Sequence, residues 1–422
     1  MSYAIQSRNG VEQNKLYHDD TGIHDWYRFV LSYPPHLVRN YINKFQLNNK
    51  HTVLDPFCGT GTTLVESKKL GIPSIGIESN PVVQMAAKAK VNWTIEYDAL
   101  INHSLLVARE VEKQLKIYGN NLKILNPERE KLIIKNSISR VPLHKSLVFL
   151  EVLNKMKDRR FYDIERTAFA KQLVYSYSNL RFGPEVGVSR KKKSDAEVLD
   201  LWLKEINKIA TDLKKYASEK NIPSEVYLGD SREIGGLLDK ESVDAIITSP
   251  PYPNEKDYTR TTRLESVLLD FVVVKSDLRK NKAGLLCSNT RNVYKGDEDE
   301  KWIFKHQHII DLADSIEAKR IELGKTSGFE RLYHKVVKNY FGGIARHLEQ
   351  LRPILRPNAQ LAYVVGEQAS FFRILIPTGT LLSDIAVEMG YELIGIELFR
   401  TRLSTATKAQ LREEVALLRW KG

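Results

Sequence analysis

The chain predicts a doubly wound α/β fold on a seven-stranded, mostly parallel sheet, and three observations predict it. Short apolar runs rich in Val, Ile and Leu recur at 51–57, 73–79, 225–233, 243–249, 360–367, 391–400 and 413–420, each strand-sized and bounded by glycine, proline or acidic residues. Segments of helical period separate most of them, the alternation that feeds a parallel sheet through crossovers. The last two runs follow one another with no helix between, so the sheet should close on an antiparallel hairpin.

HTVLDPF (51–57) breaks at Cys58-Gly-Thr-Gly into TTLVESKKLG, whose apolar spacing predicts a helix stopped by Gly71. PSIGIES (73–79) is a second buried strand, and Asn80 with Pro81 supplies a cap and a first helical position for NPVVQMAAKAK. From 95 to 222 long charged segments of helical period replace the strands, with 25 basic against 17 acidic residues. This stretch reads as a helical insertion, and residues 1–94 and 223–422 as one discontinuous domain. The α/β pattern resumes at 225, passes an irregular stretch at about 253–325, and continues as a helix near 330–351, a strand at 360–367 and a helix at 380–390.

With 422 residues, 42% of them hydrophobic, the chain is long enough to bury one large core or two smaller ones. A net charge of +12 and a pI near 9.3 favour a polyanionic partner, nucleic acid first. Two cysteines, Cys58 and Cys287, cannot build a disulfide framework, and no His/Cys group has zinc spacing, so no metal is expected. The first twenty residues hold no signal-peptide core and no run is long enough to span a bilayer, which predicts a cytoplasmic protein without a membrane partner.

Two glycines between a strand and a helix allow a ligand to approach the backbone, with helical N–H groups facing it. The G-x-x-x-x-G-K-[ST] phosphate loop is absent, and Leu64 stands where a dinucleotide fingerprint needs a third small residue. Glu78, ending the second strand, is placed to accept from a ribose diol. Asp230, closing the third, is within reach of an adenine amino group.

Asp55-Pro-Phe-Cys-Gly-Thr-Gly-Thr-Thr, taken with Thr248-Ser-Pro-Pro-Tyr252, resembles the cofactor and catalytic motifs of S-adenosylmethionine-dependent DNA amino-methyltransferases, the cytosine-N4 group in particular. HDWYRFVLSYPPHLVRNYI (24–42) is similar to the helical cofactor motif that precedes the first strand in that family. The resemblance covers about 24–93 and 224–420 and leaves the insertions aside. It implies S-adenosyl-L-methionine as cofactor, contacted by Tyr33, Pro34, Asp55, Pro56, Phe57, Gly59, Thr60, Gly61, Thr62, Glu78, Ser79, Asp230 and Ser231. It implies catalysis at Ser249, Pro250, Pro251 and Tyr252 on the N4 amine of a cytosine in double-stranded DNA, and a modification enzyme whose restriction endonuclease, if any, is a separate chain.

The chemistry suits those residue types. An exocyclic amine delocalises its lone pair into the ring, so acceptors must take both amino hydrogens and turn the lone pair toward the donor. Ser249 Oγ and the Pro250 carbonyl are the natural acceptors; Pro250 and Pro251 fix the backbone, and Tyr252 offers a face to a base swung out of the duplex. Neither cysteine stands in the Pro-Cys context of ring-carbon methylation. For phosphate contact the sequence offers Arg181 and Arg190-Lys191-Lys192-Lys193 in a basic loop of the insertion, which is the expected target-recognition region. Arg260, Arg263 and Arg291 are further candidates. Adenine-N6 methylation, where an acidic residue or Asn usually replaces Ser249, and transfer-RNA guanine-N2 methylation, usually with Asp-Pro-Pro-Tyr, are the alternatives. The recognition sequence and oligomeric state are not legible.

Overall fold

A computed structural model describes residues 17–27, 32–182, 186–254, 256–404 and 407–422. Its strands are β1 (Val53–Asp55), β2 (Ser74–Glu78), β3 (Leu180–Phe182), β4 (Val186–Val188), β5 (Ser224–Leu228), β6 (Val243–Thr248), β7 (Leu355–Gly366), β8 (Tyr391–Leu403) and β9 (Gln410–Trp420). Seven form one sheet in the order β5-β2-β1-β6-β7-β9-β8. The pairs from β5 through β7 are parallel, while β9 runs antiparallel to both β7 and β8. All seven predicted strands and the closing antiparallel pair are present.

The helices are α1 (Pro35–Lys44), α2 (Thr62–Lys69), α3 (Pro81–Val91), α4 (Tyr97–Tyr118), α5 (Pro127–Glu130), α6 (Arg140–Lys155), α7 (Tyr162–Gln172), α8 (Val198–Lys215), α9 (Tyr258–Thr261), α10 (Arg263–Leu268), α11 (Lys275–Ala283), α12 (Gln307–Glu322), α13 (Tyr333–Leu351) and α14 (Thr378–Glu388). Local chemistry fixes several ends. Asn80 Oδ1 accepts from Val82 N at 3.2 Å and Pro81 opens α3. Gly71 follows α2 at φ 73°, the left-handed stop that glycine permits.

The strand period sorts the core into two faces. Val53, Ala245, Ile247, Ala362 and Val364 pack against Leu37, Val38, Tyr41 and Ile42 of α1. Their neighbours Leu54, Ile246, Leu361, Tyr363 and Val365 pack against α13 and α14 through Val336, Tyr340, Ile344, Leu348, Leu382 and Ile385. A third cluster joins α2 and α3 to the inserted helices, with Leu64, Val82 and Ala86 continuous with Val107, Phe149, Phe169 and Trp202. Residues 95–222 therefore share a core with the sheet's flanking helices. The buried Glu66 of α2 pairs with the partly exposed Arg39 at 2.5 Å and hydrogen-bonds His24 at 2.7 Å.

Two sequence expectations change. The insertion, read as helices with a basic loop, contains the antiparallel pair β3–β4 at the start of that loop, too short at three residues a strand to show alternation. The stretch 253–325, read as irregular, holds α9 to α12. Helix α12 buries Ile309, Ala313 and Ile316 at helical spacing, a signal its charged residues obscure, whereas α11 buries only Lys282 and carries no apolar period. No helix among the described residues is long and apolar enough to cross a membrane.

Candidate active site

The C-terminal ends of β1, β2 and β6 open into one cleft of about 470 Å³, where open parallel sheets place their ligands. Of the cofactor candidates, Tyr33, Pro56, Phe57, Gly59, Thr60, Thr62, Glu78, Ser79 and Ser231 line it, together with Ser249, Pro250, Pro251 and Tyr252. The two motifs, about 190 residues apart, thus face each other because β1 pairs with β6 (Leu54↔Ile246).

The glycine turn is shaped by its own backbone. Gly59 and Gly61 have φ of 51° and 82°, values that cost other residues about 1–2 kcal/mol. A Cβ on Gly59 would meet nothing within 4 Å, so its surroundings are open to a ligand, whereas one on Gly61 would stand 3.4 Å from Ala87 Cβ, so Gly61 serves helix packing. Glu78 Oε2 accepts from Gly59 N at 3.0 Å and Oε1 from Asn80 N at 2.7 Å. Burial outweighs these bonds and pushes its carboxyl up to about 7. Each oxygen retains a lone pair for a diol. Ile77, Val83, Leu285 and Leu286 add apolar wall.

Asp55, Pro34, Gly61 and Asp230 are not among the lining residues. Asp55 is fully buried beneath the cleft, accepting from Thr248 Oγ1 at 2.6 Å, Tyr33 OH at 2.7 Å and Phe57 N at 3.2 Å. It ties both motifs and the segment before α1 into one unit. Pro34 caps α1. The Asp230 carboxylate is taken by Arg232, Nη2 at 2.6 Å and Nε at 2.9 Å.

At the second motif the Ser249 hydroxyl donates to the Val364 carbonyl at 3.0 Å. Its proton is thereby committed, and its lone pairs are left to accept. Tyr252 lies within hydrogen-bonding reach of Ser249, and burial followed by the charge of Glu413 raises its phenol above the ordinary range.

Sequence reasoning missed Asn254, Lys256, Gln368, Arg400, Arg402 and Glu413, which also line the cleft. Arg400, ending the strand predicted at 391–400, with Arg402 two places on, was the available signal; the observed β8 runs on through both. It also missed His347, wholly buried behind the wall. Burial lowers its pKa to about 4, so the ring is neutral. Its two nitrogens meet Ser231 O and Tyr363 OH, each at 2.8 Å. A carbonyl only accepts, so Nδ1–H donates to Ser231 and Nε2 accepts from Tyr363. The Phe57 ring packs edge-on against it at 4.9 Å, so His347 positions two cleft residues at once.

The DNA candidates stand elsewhere. Arg181, Arg190, Lys191 and Lys192 are exposed around the β3–β4 pair. Lys192 Nζ donates to the Ser189 carbonyl at the surface; Lys193 Nζ is partly buried, donating to the Ser176 carbonyl at 2.5 Å, and burial lowers its pKa. Arg263 reaches Thr259 Oγ1 at 3.3 Å and Leu132 O at 3.4 Å. Burial, with Arg260 and Arg291 nearby, lowers its pKa. The Nε atoms of Arg260 and Arg263 are buried without a partner among the described residues. Arg291 lies over the Phe329 ring at 5.5 Å. The described residues hold no group of three or more side chains suited to a metal.

Residues 5–89 match a family described as DNA methylase. The chain is 25% identical over 421 residues to Type II methyltransferase M.BsoBI of Geobacillus stearothermophilus, covering 92% of this chain and 82% of that protein. It is 24% identical over 406 residues to Type II methyltransferase M.AvaI of Anabaena variabilis, covering 87% and 79%. The crystal structure of TrmN from Thermus thermophilus aligns with 92% of this chain and 48% of its own length at 10% identity and a TM-score of 0.30, too loose a likeness to bear on function. The sequence matches support a DNA methyltransferase.

Proposed function

We propose that the chain transfers a methyl group from S-adenosyl-L-methionine to the N4 amine of a cytosine extruded from double-stranded DNA at a specific site, as the modification enzyme of a restriction–modification system. The observation that carries this reading is the Ser249 hydroxyl: its proton is spent on Val364 O at 3.0 Å, which leaves an acceptor in the same cleft as the open glycine turn.

The residues present fit the cofactor. Room over Gly59 admits a flat or extended ligand against the backbone, Glu78 offers carboxylate oxygens for a ribose diol, and Phe57, Ile77 and Leu286 supply apolar wall for a base. When bound, S-adenosyl-L-methionine supplies a methyl group on a sulfonium, whose C–S bond breaks as the amine nitrogen takes the carbon. Everything else falls to the chain. Ser249 Oγ and the Pro250 carbonyl accept the two amine hydrogens and so localise the nitrogen lone pair. Tyr252 stacks on the base, and its pocket is the destination that makes extrusion possible. A serine hydroxyl is a weak base at neutral pH, so the product nitrogen, cationic after transfer, loses its proton afterwards. The exposed Arg181, Arg190, Lys191 and Lys192 engage phosphates, and the insertion that carries them is the target-recognition region. Arg260, Arg263 and Arg291 add further positive charge for the duplex.

The test is to incubate the protein with a mixed-sequence duplex and labelled S-adenosyl-L-methionine, digest, and identify the labelled nucleoside. N4-methylcytosine is expected; label in N6-methyladenine overturns the target base, and label only in transfer RNA overturns the substrate class.

A further inference from the structure

The wall beside the Ser-Pro-Pro-Tyr turn is built by the terminal hairpin, and its side chains form one network. Gly366 of β7, Glu413 of β9 and Arg400 of β8 are consecutive cross-strand partners, so they share one face of the sheet. The missing side chain of Gly366 permits this crowding: a Cβ there would lie 3.1 Å from Tyr252 Cε2, 3.2 Å from Glu413 Cγ and 3.5 Å from Gln368 Nε2. Glu413 accepts from Arg400 Nε at 2.5 Å and pairs with Arg402 Nε at 3.5 Å. Arg402 spends an Nη on the Glu367 carbonyl at 2.6 Å. Arg400 has no such second anchor, and among the described residues neither of its Nη atoms is hydrogen-bonded, although its side chain is only 13% exposed. Two guanidiniums share one carboxylate, so this wall carries a surplus positive charge in the same cleft as Ser249 and Tyr252.

A guanidinium fixed at Nε and unengaged at both Nη offers a rigid pair of N–H donors. Beside its amine, cytosine carries two successive acceptors, N3 and O2. Adenine carries one, N1, followed by a C–H. We propose that Arg400, oriented by Glu413 and flanked by Arg402, donates to N3 and O2 of the target cytosine while Ser249 holds the amine, and that this contact rejects adenine. The inference rests on the methyl-transfer reading above and adds the group that chooses the base.

The experiment uses duplexes containing the sequence that the wild-type protein methylates, with cytosine, 3-deazacytosine (which lacks the N3 acceptor) or adenine at the target position. Single-turnover rates and kcat/KM are measured for wild type, Arg400→Gln and Arg400→Lys, with cofactor affinity as a check on the fold. A lost bidentate base contact predicts a fall in kcat/KM of about 10- to 100-fold for Arg400→Gln on cytosine. The same variant should lose little further on 3-deazacytosine and should narrow the preference for cytosine over adenine; Arg400→Lys should recover only part. Equal losses on cytosine and 3-deazacytosine overturn the proposal. So does a weaker salt dependence of DNA affinity with unchanged base preference, the signature of a phosphate contact. Wild-type protein that methylates 3-deazacytosine as well as cytosine overturns it without any variant. Wild type that labels no cytosine in any duplex removes the methyl-transfer reading itself, whereas cytosine labelled equally by wild type and Arg400→Gln removes only this inference.

Discussion

The two sides of the cleft are built by different means. On the glycine-turn side, the space for a ligand is shaped by the open backbone at Gly59 and by the Glu78 carboxylate, both within a single strand-turn-helix-strand unit between residues 55 and 80. On the Ser-Pro-Pro-Tyr side it is shaped by side chains: Ser249 leans on Val364, Gly366 makes way for Tyr252, and Glu413 holds Arg400 and Arg402. A surface of backbone and glycine suits a ligand common to many proteins, because its shape follows from the turn alone. A surface of interlocked side chains suits a choice between similar bases, because each donor can be changed without disturbing the strands beneath.

That comparison breaks first at Ser249. Ser249→Ala removes the acceptor and should lower the single-turnover rate by about 10²–10³-fold, the scale for one oriented polar group at a reacting centre. Cofactor affinity measured by calorimetry should stay unchanged, since the other wall is untouched; unimpaired transfer would overturn the role given to Ser249. Gly59→Val tests the opposite wall. A side chain at φ 51° costs about 1–2 kcal/mol and fills the space a ligand needs, so cofactor affinity should fall at least about 10-fold while the unfolding temperature drops only modestly.

Glu78 sharpens the comparison through pH. Its carboxyl, held up to about 7 by burial, is largely neutral at pH 6 and ionised at pH 8, so cofactor affinity should tighten across that interval and Glu78→Gln should flatten the profile. Stability runs the other way. A carboxyl whose folded pKa lies above its unfolded value of about 4.5 favours folding most below that value, and the contribution is lost as pH rises through 7. The ligand-free protein should therefore lose stability over the interval in which it gains affinity, a trend thermal unfolding at pH 5 and pH 8 would check.

The smallest effect concerns the basic run. Replacing Arg190, Lys191 and Lys192 by Ala should reduce the slope of log affinity for DNA against log salt by about 2–3. Lys193→Ala should leave the slope nearly unchanged because its Nζ is partly buried against the Ser176 carbonyl, whereas the bond of Lys192 Nζ to the Ser189 carbonyl lies at the exposed surface. Equal effects from all four positions would show that the run acts as a diffuse charge.

Much of this site is visible in the chain because its signals are local. The strand before Cys58, the stop at Gly71, the cap at Asn80 and the position of Glu78 each depend on residues within a few places of one another. Two nearby residues misled for the same reason. Asp55 ends β1 and Asp230 follows β5 by two residues, where a carboxylate ordinarily meets a ligand, yet Thr248 and Tyr33 bond the first and Arg232 bonds the second. His347 gave no signal at all, since a histidine in an amphipathic helix looks like any other until Ser231 and Tyr363 are placed on either side of it.

By itself the sequence determined the order of strands and helices, the sharp glycine bend and the rigid proline exit from β6, because backbone sterics and hydrophobic period act over short spans. Only the tertiary structure decided which distant side chains share a pocket. Strand pairing brings Ser249 to Val364 and Glu413 to Arg400 across separations that carry no periodic trace, since a contact between strands depends on register, and register is settled by the packing of the whole sheet.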